Sequence, residues 1–310
     1  MNPKRAFLVL VSSLVLIEVL IRISGIVSFP IYHVDSDIGY IPKELQNGKF
    51  LNKNDWYFND KSMPIAQNWQ PDGHVNVMLI GNSIIVGGDP FRQQDKLAPL
   101  IQKKVGTKAF VWPLAVGGWT EVNEMVYLDR HPELVKSCDL FAWEYMSGGL
   151  RAATPWYGEY TFPTHQPFYA SWYVLRRYII PKLFPFLVTS ELSATDGSKA
   201  ENISKFEEHL EILKRVSSVK GGGIIWLYPT RAETDLARHG LDWLPERSII
   251  EDIAAKNNIK IIDIASFPAW DVTLYRADGV HPTVRGNQIL ATILSEQIAD
   301  NFGTKVNPSQ

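Results

Sequence analysis

Five short apolar runs, at residues 75–80, 109–116, 140–145, 223–228 and 259–264, recur along the chain with amphipathic stretches between them. Runs of that length suit strands in the interior of a parallel sheet, where helices cover both faces and no polar side is needed. The intervening stretches, about 96–105, 121–128, 204–217 and 244–257, read as helices. A last helix over 283–301 places Ile289, Leu290, Ile293, Leu294 and Ile298 on one stripe. Strand and helix in alternation predict an α/β three-layer sandwich around a central parallel sheet of about five strands. At 310 residues the chain is long enough to bury a sizeable core.

The beginning of the chain has a different character. Lys4 and Arg5 precede an almost unbroken apolar stretch over residues 7–29, about the length of a bilayer span. Positive charge ahead of the span predicts a cytoplasmic N-terminus and everything after the span outside. Glu18 and Arg22 interrupt the run, and a charge at mid-bilayer costs about 2.5–3.5 kcal/mol on insertion scales. Being four apart, they can pair on one helix face, and Arg22 can reach towards the outer interface. The preferred reading is an uncleaved signal anchor over residues 6–29 with a cytoplasmic tail at 1–5; the alternative is a signal peptide cut after Gly25 or Ser28. Either predicts a protein of the cytoplasmic membrane's outer side, in the anchored case single-pass.

Residues 30–70 are polar and dotted with Trp56, Tyr57, Phe58 and Trp69, and read as an extended connector lying over the domain of residues 71–302; 303–310 is a tail. Residues 150–200 break the strand–helix rhythm with an aromatic, proline-punctuated insertion. Following a strand's carboxyl end, it falls on the rim where α/β sites form. Three readings stay open for it: a cap or glycan-binding wall, a packing excursion, and membrane contact through apolar residues 178–188 beside Arg176, Arg177 and Lys182. A formal net charge of −2 gives no reason to expect nucleic acid. Cys138 is alone, so no intramolecular disulfide can form.

The residues able to do chemistry lie at two strand ends. Gly81-Asn82-Ser83 follows the first buried run directly, and Asp278-Gly279-Val280-His281-Pro282 precedes the last helix. A serine hydroxyl needs a base to take its proton, and the base needs a third group to fix its tautomer. Asp278, three before His281, can accept from Nδ1 while Nε2 faces Ser83. A helix beginning at Ser83 would aim its amide at a developing oxyanion. The bland readings are a capping serine, a plain Asp-Gly turn and a helix start at Pro282; both halves occurring together favours catalysis.

On these motifs the chain resembles the SGNH (GDSL-type) hydrolase superfamily over about residues 75–299. Asn82 stands where that family has Asp. The family's glycine block is similar to Leu114-Ala115-Val116-Gly117-Gly118-Trp119-Thr120, which implies Gly118 as an oxyanion donor beside Ser83. In the third block the family's donor Asn is replaced by Gly148, and losing one such donor typically costs about 10²–10³ in turnover. Arg151, Asn123 and the N–H of Gly148 are candidate replacements. The strand ending Trp143-Glu144 with Arg151 soon after resembles the alginate O-acetyltransferase-like branch, whose members move acetyl groups onto exported polysaccharides. Glu144 is open as an auxiliary acid or substrate contact, with a salt bridge to an arginine the preferred reading.

The resemblance implies a serine esterase or acyltransferase acting outside the cytoplasmic membrane, on acetyl esters of an exported or cell-surface polysaccharide. Its partner would be a carbohydrate O-acyl ester or sugar acceptor; a further reading, which the anchor permits, has the chain work only in complex with a multi-pass membrane acyl-donor protein. The alternatives are a non-catalytic polysaccharide-binding or assembly protein on the same fold, and a lipid-directed esterase. No His-Glu-x-x-His motif, cysteine pair or carboxylate cluster at ligand spacing occurs, so neither metal nor cofactor is expected. Asp263 reads as structural, and His131, His165 and His239 as surface residues.

Overall fold

The computed structural model of the chain describes residues 2–71, 75–88, 90–184, 199–217 and 222–301. The chain starts as one helix, α1 (Pro3–Ile23), with Asn2 as its side-chain cap and no buried residue along its length. It is long and apolar enough to cross a membrane. Two antiparallel hairpins follow: β1 (Tyr32–Asp35) with β2 (Gly39–Pro42), and β3 (Gln46–Phe50) with β4 (Asn54–Phe58). Residues 30–70, expected as an extended connector, therefore carry hairpins, and Ile38, Tyr40 and Met63 are fully buried against the core beyond.

The central sheet comprises β5 (Val75–Gly81), β6 (Ala109–Ala115), β7 (Leu140–Tyr145), β8 (Gly223–Leu227) and β9 (Lys260–Asp263). They pair in parallel in the order β6-β5-β7-β8-β9, as the apolar runs predict. Side chains alternate across it. Met78, Ile80, Phe141, Trp143, Ile225 and Leu227 face one core, and Val77, Leu79, Leu140, Ala142, Ile224 and Trp226 the other.

Helices cover both faces. α3 (Leu97–Val105) and α11 (Val284–Asn301) pack together on one side, with α2 (Ser83–Val86) at the end of β5. α4 (Glu121–Arg130), α5 (Pro132–Lys136), α8 (Lys199–Val216) and α10 (Arg247–Lys256) cover the other. Each buried Leu or Ile on these faces contributes about 1.5–3 kcal/mol against the entropy of ordering it. α6 (Ala170–Val174) runs through a π-helical turn at Leu175–Ile179 into α7 (Ile180–Leu183), all within the aromatic insertion. The far part of residues 178–188, from 185 on, lies outside the described residues. α9 (Arg231–Arg238) was not foreseen, although Thr230 and Glu233 form a reciprocal capping box at its start.

The strand order reverses at β5, whose neighbours β6 and β7 are reached by crossovers in opposite directions. Crevices in doubly wound sheets open at the carboxyl ends of strands on either side of such a reversal. Ser83 leaves β5 at that point.

Candidate active site

Gly81 ends β5 because nothing larger fits: a Cβ there would lie 2.3 Å from Glu144 Oε2 and 2.7 Å from Ile85 Cδ1. Asn82 then turns the chain, with φ −117° and ψ −142°, and its Oδ1 accepts the Ile84 amide at 3.1 Å. Gly87, at φ +73°, closes α2 one turn later, a left-handed position that favours glycine. This short turn presents Ser83 at the first helical position. Among the described residues its amide donates to no protein acceptor, as the first amides of a helix do not.

The Asp278–His281 loop reaches Ser83 from 198 residues away, with His281 Nε2 at 2.9 Å from Ser83 Oγ. His281 Nδ1 stands 3.2 Å from Asp278 Oδ2. Asp278 Oδ1 accepts the amides of Val280 and His281, both at 2.9 Å, so the carboxylate shapes the loop and orients the ring together. Tyr228 donates its hydroxyl to the Val280 carbonyl at 2.8 Å, and the Arg231 amide donates to the Gly279 carbonyl at 2.7 Å, tying the loop to β8 and α9. Partial burial pulls the Asp278 carboxyl upward; the two amides and His281 outweigh it and hold it below the ordinary carboxylate range. The His281 and Asp278 side chains remain 32% and 40% exposed, so the line of three opens to solvent.

Gly117 and Gly118 form the adjoining wall. A Cβ on Gly117 would sit 3.8 Å from the Ser83 Cβ, and Gly118 lies at φ +84°. The Tyr40 hydroxyl donates to the Gly117 carbonyl at 2.7 Å. In a trans peptide that bond fixes the plane whose opposite edge is the Gly118 N–H, and this amide has no acceptor among the described residues. The Trp119 indole donates to the Tyr40 carbonyl at 3.0 Å, and Phe162 stacks on the Tyr40 ring at 3.6 Å. Tyr40 escaped the sequence reading because it is 77 residues from its partner, in a segment read as connector.

Several proposed auxiliary residues are otherwise engaged. Asn123 is fully buried; its Oδ1 accepts from Thr120 and Thr154, and its Nδ2 donates to the carbonyls of Ile38 at 2.7 Å and Thr154 at 3.0 Å. With both amide hydrogens committed it is a structural pin, which removes it as an oxyanion donor. Asn82 likewise caps α2, with its Nδ2 on Met146 Sδ at 3.2 Å, so its side chain serves the turn. The Gly148 amide is turned to Glu246 Oε2 at 3.4 Å, with the residue at φ +81°. Arg151 is exposed beside Gly148 and, among the described residues, forms no ion pair.

Glu144 corrects the salt-bridge expectation. It is 1% exposed, and its Oε2 accepts the Asn82 amide at 3.1 Å while Oε1 has no partner among the described residues. Burial, together with the nearby Glu121 charge, raises its pKa well above the ordinary value despite the Asn82 amide. Glu144 thus lies buried beneath the serine turn, in surroundings that favour its protonated form. Glu121, also buried, is pushed up to about 7 by burial and by Glu246, and accepts the Met146 amide at 3.0 Å. Asp263 accepts the Ala265 amide and pairs with Arg247 at 2.9 Å. His165 and His239 are exposed; His131 is half-buried on the Tyr127 ring.

No family model matches the chain, and no curated protein matches it. Solved structures similar to it include a lipase/acylhydrolase from Enterococcus faecalis, at 14% identity and TM-score 0.44, covering 76% of this chain and 99% of that one. A carbohydrate acetylesterase family member from Sinorhizobium meliloti matches at 15% identity and TM-score 0.43, covering 74% and 99%. A GDSL-like lipase from Bacteroides thetaiotaomicron matches at 16% identity and TM-score 0.41, covering 73% and 88%. Likeness of that degree says nothing of what this chain acts on.

Proposed function

We propose that the chain is a serine-dependent O-acyl ester hydrolase or acyltransferase. The observation that carries the reading is the hydrogen-bonded line from Ser83 Oγ through His281 to Asp278 at the reversal point of the sheet. Ser83 Oγ attacks the ester carbonyl carbon as His281 Nε2 takes its proton. The resulting oxyanion lies against the amides of Ser83 and Gly118. Collapse releases the alcohol, which receives the proton from His281, and leaves the acyl group on Ser83. Water or a sugar hydroxyl, deprotonated by the same imidazole, then takes the acyl group. Asp278 keeps the Nδ1 proton in place throughout and stabilises the imidazolium that forms. Arg151, beside Gly148, is our candidate for a third charge-stabilising group or a substrate contact.

The substrate we propose is an acetyl ester on an exported or cell-surface polysaccharide, reached from the outer side of the cytoplasmic membrane, where α1 anchors the chain. Two features support it. The open rim admits a polymer, and half-buried Phe162, stacked on Tyr40 beside Gly118, offers a face on which a sugar ring can lie. The test uses the full chain in detergent, because cutting into residues 30–70 would remove Tyr40 or its support. Acetate release from p-nitrophenyl acetate and from an acetylated oligosaccharide is compared for wild type and Ser83→Ala, with an unacetylated oligosaccharide as competing acceptor. Turnover abolished in Ser83→Ala supports the nucleophile, and acetyl found on the acceptor identifies transfer. Equal rates in both proteins would overturn the reading.

A further inference from the structure

The two charges that interrupt the apolar N-terminal helix are engaged with the aromatic insertion. Arg22 Nη2 donates to the carbonyls of Pro167 at 3.2 Å and Phe168 at 2.6 Å, while its Nε bonds Glu18 at 2.9 Å. Glu18 in turn accepts the amides of Ala170 at 2.8 Å and Ser171 at 2.9 Å, at the start of α6. Phe29 stacks on Tyr173 at 4.8 Å, and Val27, Phe29 and Ala170 form a small buried cluster of their own. The insertion is thereby bolted to the outer end of α1 by polar and apolar contacts.

That attachment fixes its depth. α1 spans 21 residues, about 31 Å at 1.5 Å per residue, against a hydrocarbon core of about 30 Å. Glu18 lies five residues inside its end, so α6 begins about 7 Å to the membrane side of that end. The exposed side chains at the start of α6 are those of an interface: Phe168 is 82% exposed, Tyr169 62% and Trp172 55%; Leu183, further along in α7, is 65% exposed. Aromatic residues of this kind concentrate at headgroup level. Residues 160–184 also carry Arg176 and Lys182 and no carboxylate, with Glu159 just before them, while Arg177 is engaged with the Tyr160 carbonyl and the Tyr160 and Tyr173 rings; the excess of positive charge matches an anionic surface.

We propose that residues 168–184 form a seat on the bilayer, with Phe168, Tyr169, Trp172 and Leu183 in the outer interface and the basic residues on anionic headgroups. The proposal rests on the reading of α1 as a membrane anchor. With two attachments in place of one, the body cannot swing freely about the end of α1, and the Ser83 crevice is held at a set height and tilt above the membrane.

The test places an environment-sensitive NBD fluorophore on Phe168→Cys, and separately on Leu183→Cys, in the full chain reconstituted into nanodiscs of phosphatidylethanolamine and phosphatidylglycerol. The native Cys138 stays in place, since it is buried and burial pushes its thiol up to about 12, which keeps it unreactive near neutral pH. Leu241→Cys, at a position 56% exposed in the body, is the control. Nitroxide lipids should quench both insertion positions several-fold more than the control, and iodide in the aqueous phase several-fold less. Equal quenching at all positions, in protein that resists alkaline extraction, would overturn the seat and leave the anchor standing. Shielding from iodide without nitroxide quenching would overturn it in favour of a protein or glycan on the patch. Release at alkaline pH would overturn the anchor reading and the seat with it. Unchanged melting temperatures of the labelled variants establish that folding is not the cause.

Discussion

Glu144→Gln is expected to leave the serine turn intact and to stabilise the fold at neutral and alkaline pH. The wild-type side chain has one carboxyl oxygen on the Asn82 amide at 3.1 Å and the other unpartnered among the described residues. A protonated carboxyl and a glutamine amide have nearly the same shape; each offers one acceptor to Asn82, and towards the unpartnered side the acid presents one hydrogen and the amide two. Packing is therefore unchanged, and the difference lies in titration. Burial, with the Glu121 charge, raises the Glu144 pKa well above its ordinary 4.5. Between the ordinary and the folded value, the unfolded chain has released this proton and the native chain still holds it. Stability is then full below the unfolded pKa and falls as pH rises towards and through the folded one, at about 1.4 kcal/mol per pH unit for each proton. Glutamine contributes no such slope.

The assay is urea unfolding in detergent micelles, followed by tryptophan fluorescence at several values from about pH 5 to about pH 8. Wild type should lose stability across that range, with Glu121 contributing to the slope up to about 7. The Gln variant should lose less by one proton's share. Parallel slopes would refute the assignment of a neutral Glu144. Glu144→Ala supplies the contrast: it strands the half-buried Asn82 amide, at a cost of about 1 kcal/mol, and should lower both stability and turnover.

Tyr40→Phe removes the hydroxyl that holds the Gly117 carbonyl at 2.7 Å; we expect kcat to fall about tenfold with KM little changed, a fraction of the effect of losing an oxyanion donor outright, and a change in KM alone would contradict this role. Asp278→Asn should permit the wrong imidazole tautomer, lowering kcat by about 10³–10⁴, as measured on the same ester. Asp278 is held below the ordinary range by the amides of Val280 and His281 and by His281 itself, so the loop's stability should be present above the unfolded pKa and lost as pH falls through the folded one. Proteolytic nicking of the loop at acid pH, greater in wild type than at neutral pH and unaltered by pH in Asp278→Asn, checks the sign.

The sheet was legible because helices cover both of its faces, so each of β5 to β9, edge strands β6 and β9 included, appears as an apolar run within a few residues of its observed ends. Ser83, Asp278 and His281 were legible because a nucleophile needs a strand-end turn and an orienting acid can sit three residues from its base. The hairpins at residues 32–58 were missed because strands of four and five residues with mixed polarity carry little periodicity, and register there depends on pairing.

What the sequence determined by itself is what local pattern encodes: alternation of elements, the span-length helix, and the identities of the groups able to move a proton. Tertiary structure decided which groups are engaged and which are charged. Asn123 looks like a free donor until Ile38, 85 residues away, takes one of its hydrogens. Glu144 looks like an ordinary carboxylate until burial beneath Asn82 pushes its pKa up. Glu18 and Arg22 look like defects in a membrane helix until the amides and carbonyls of residues 167–171 arrive beside them. Desolvation and hydrogen bonding depend on what surrounds a group in space, and no spacing along the chain contains that information.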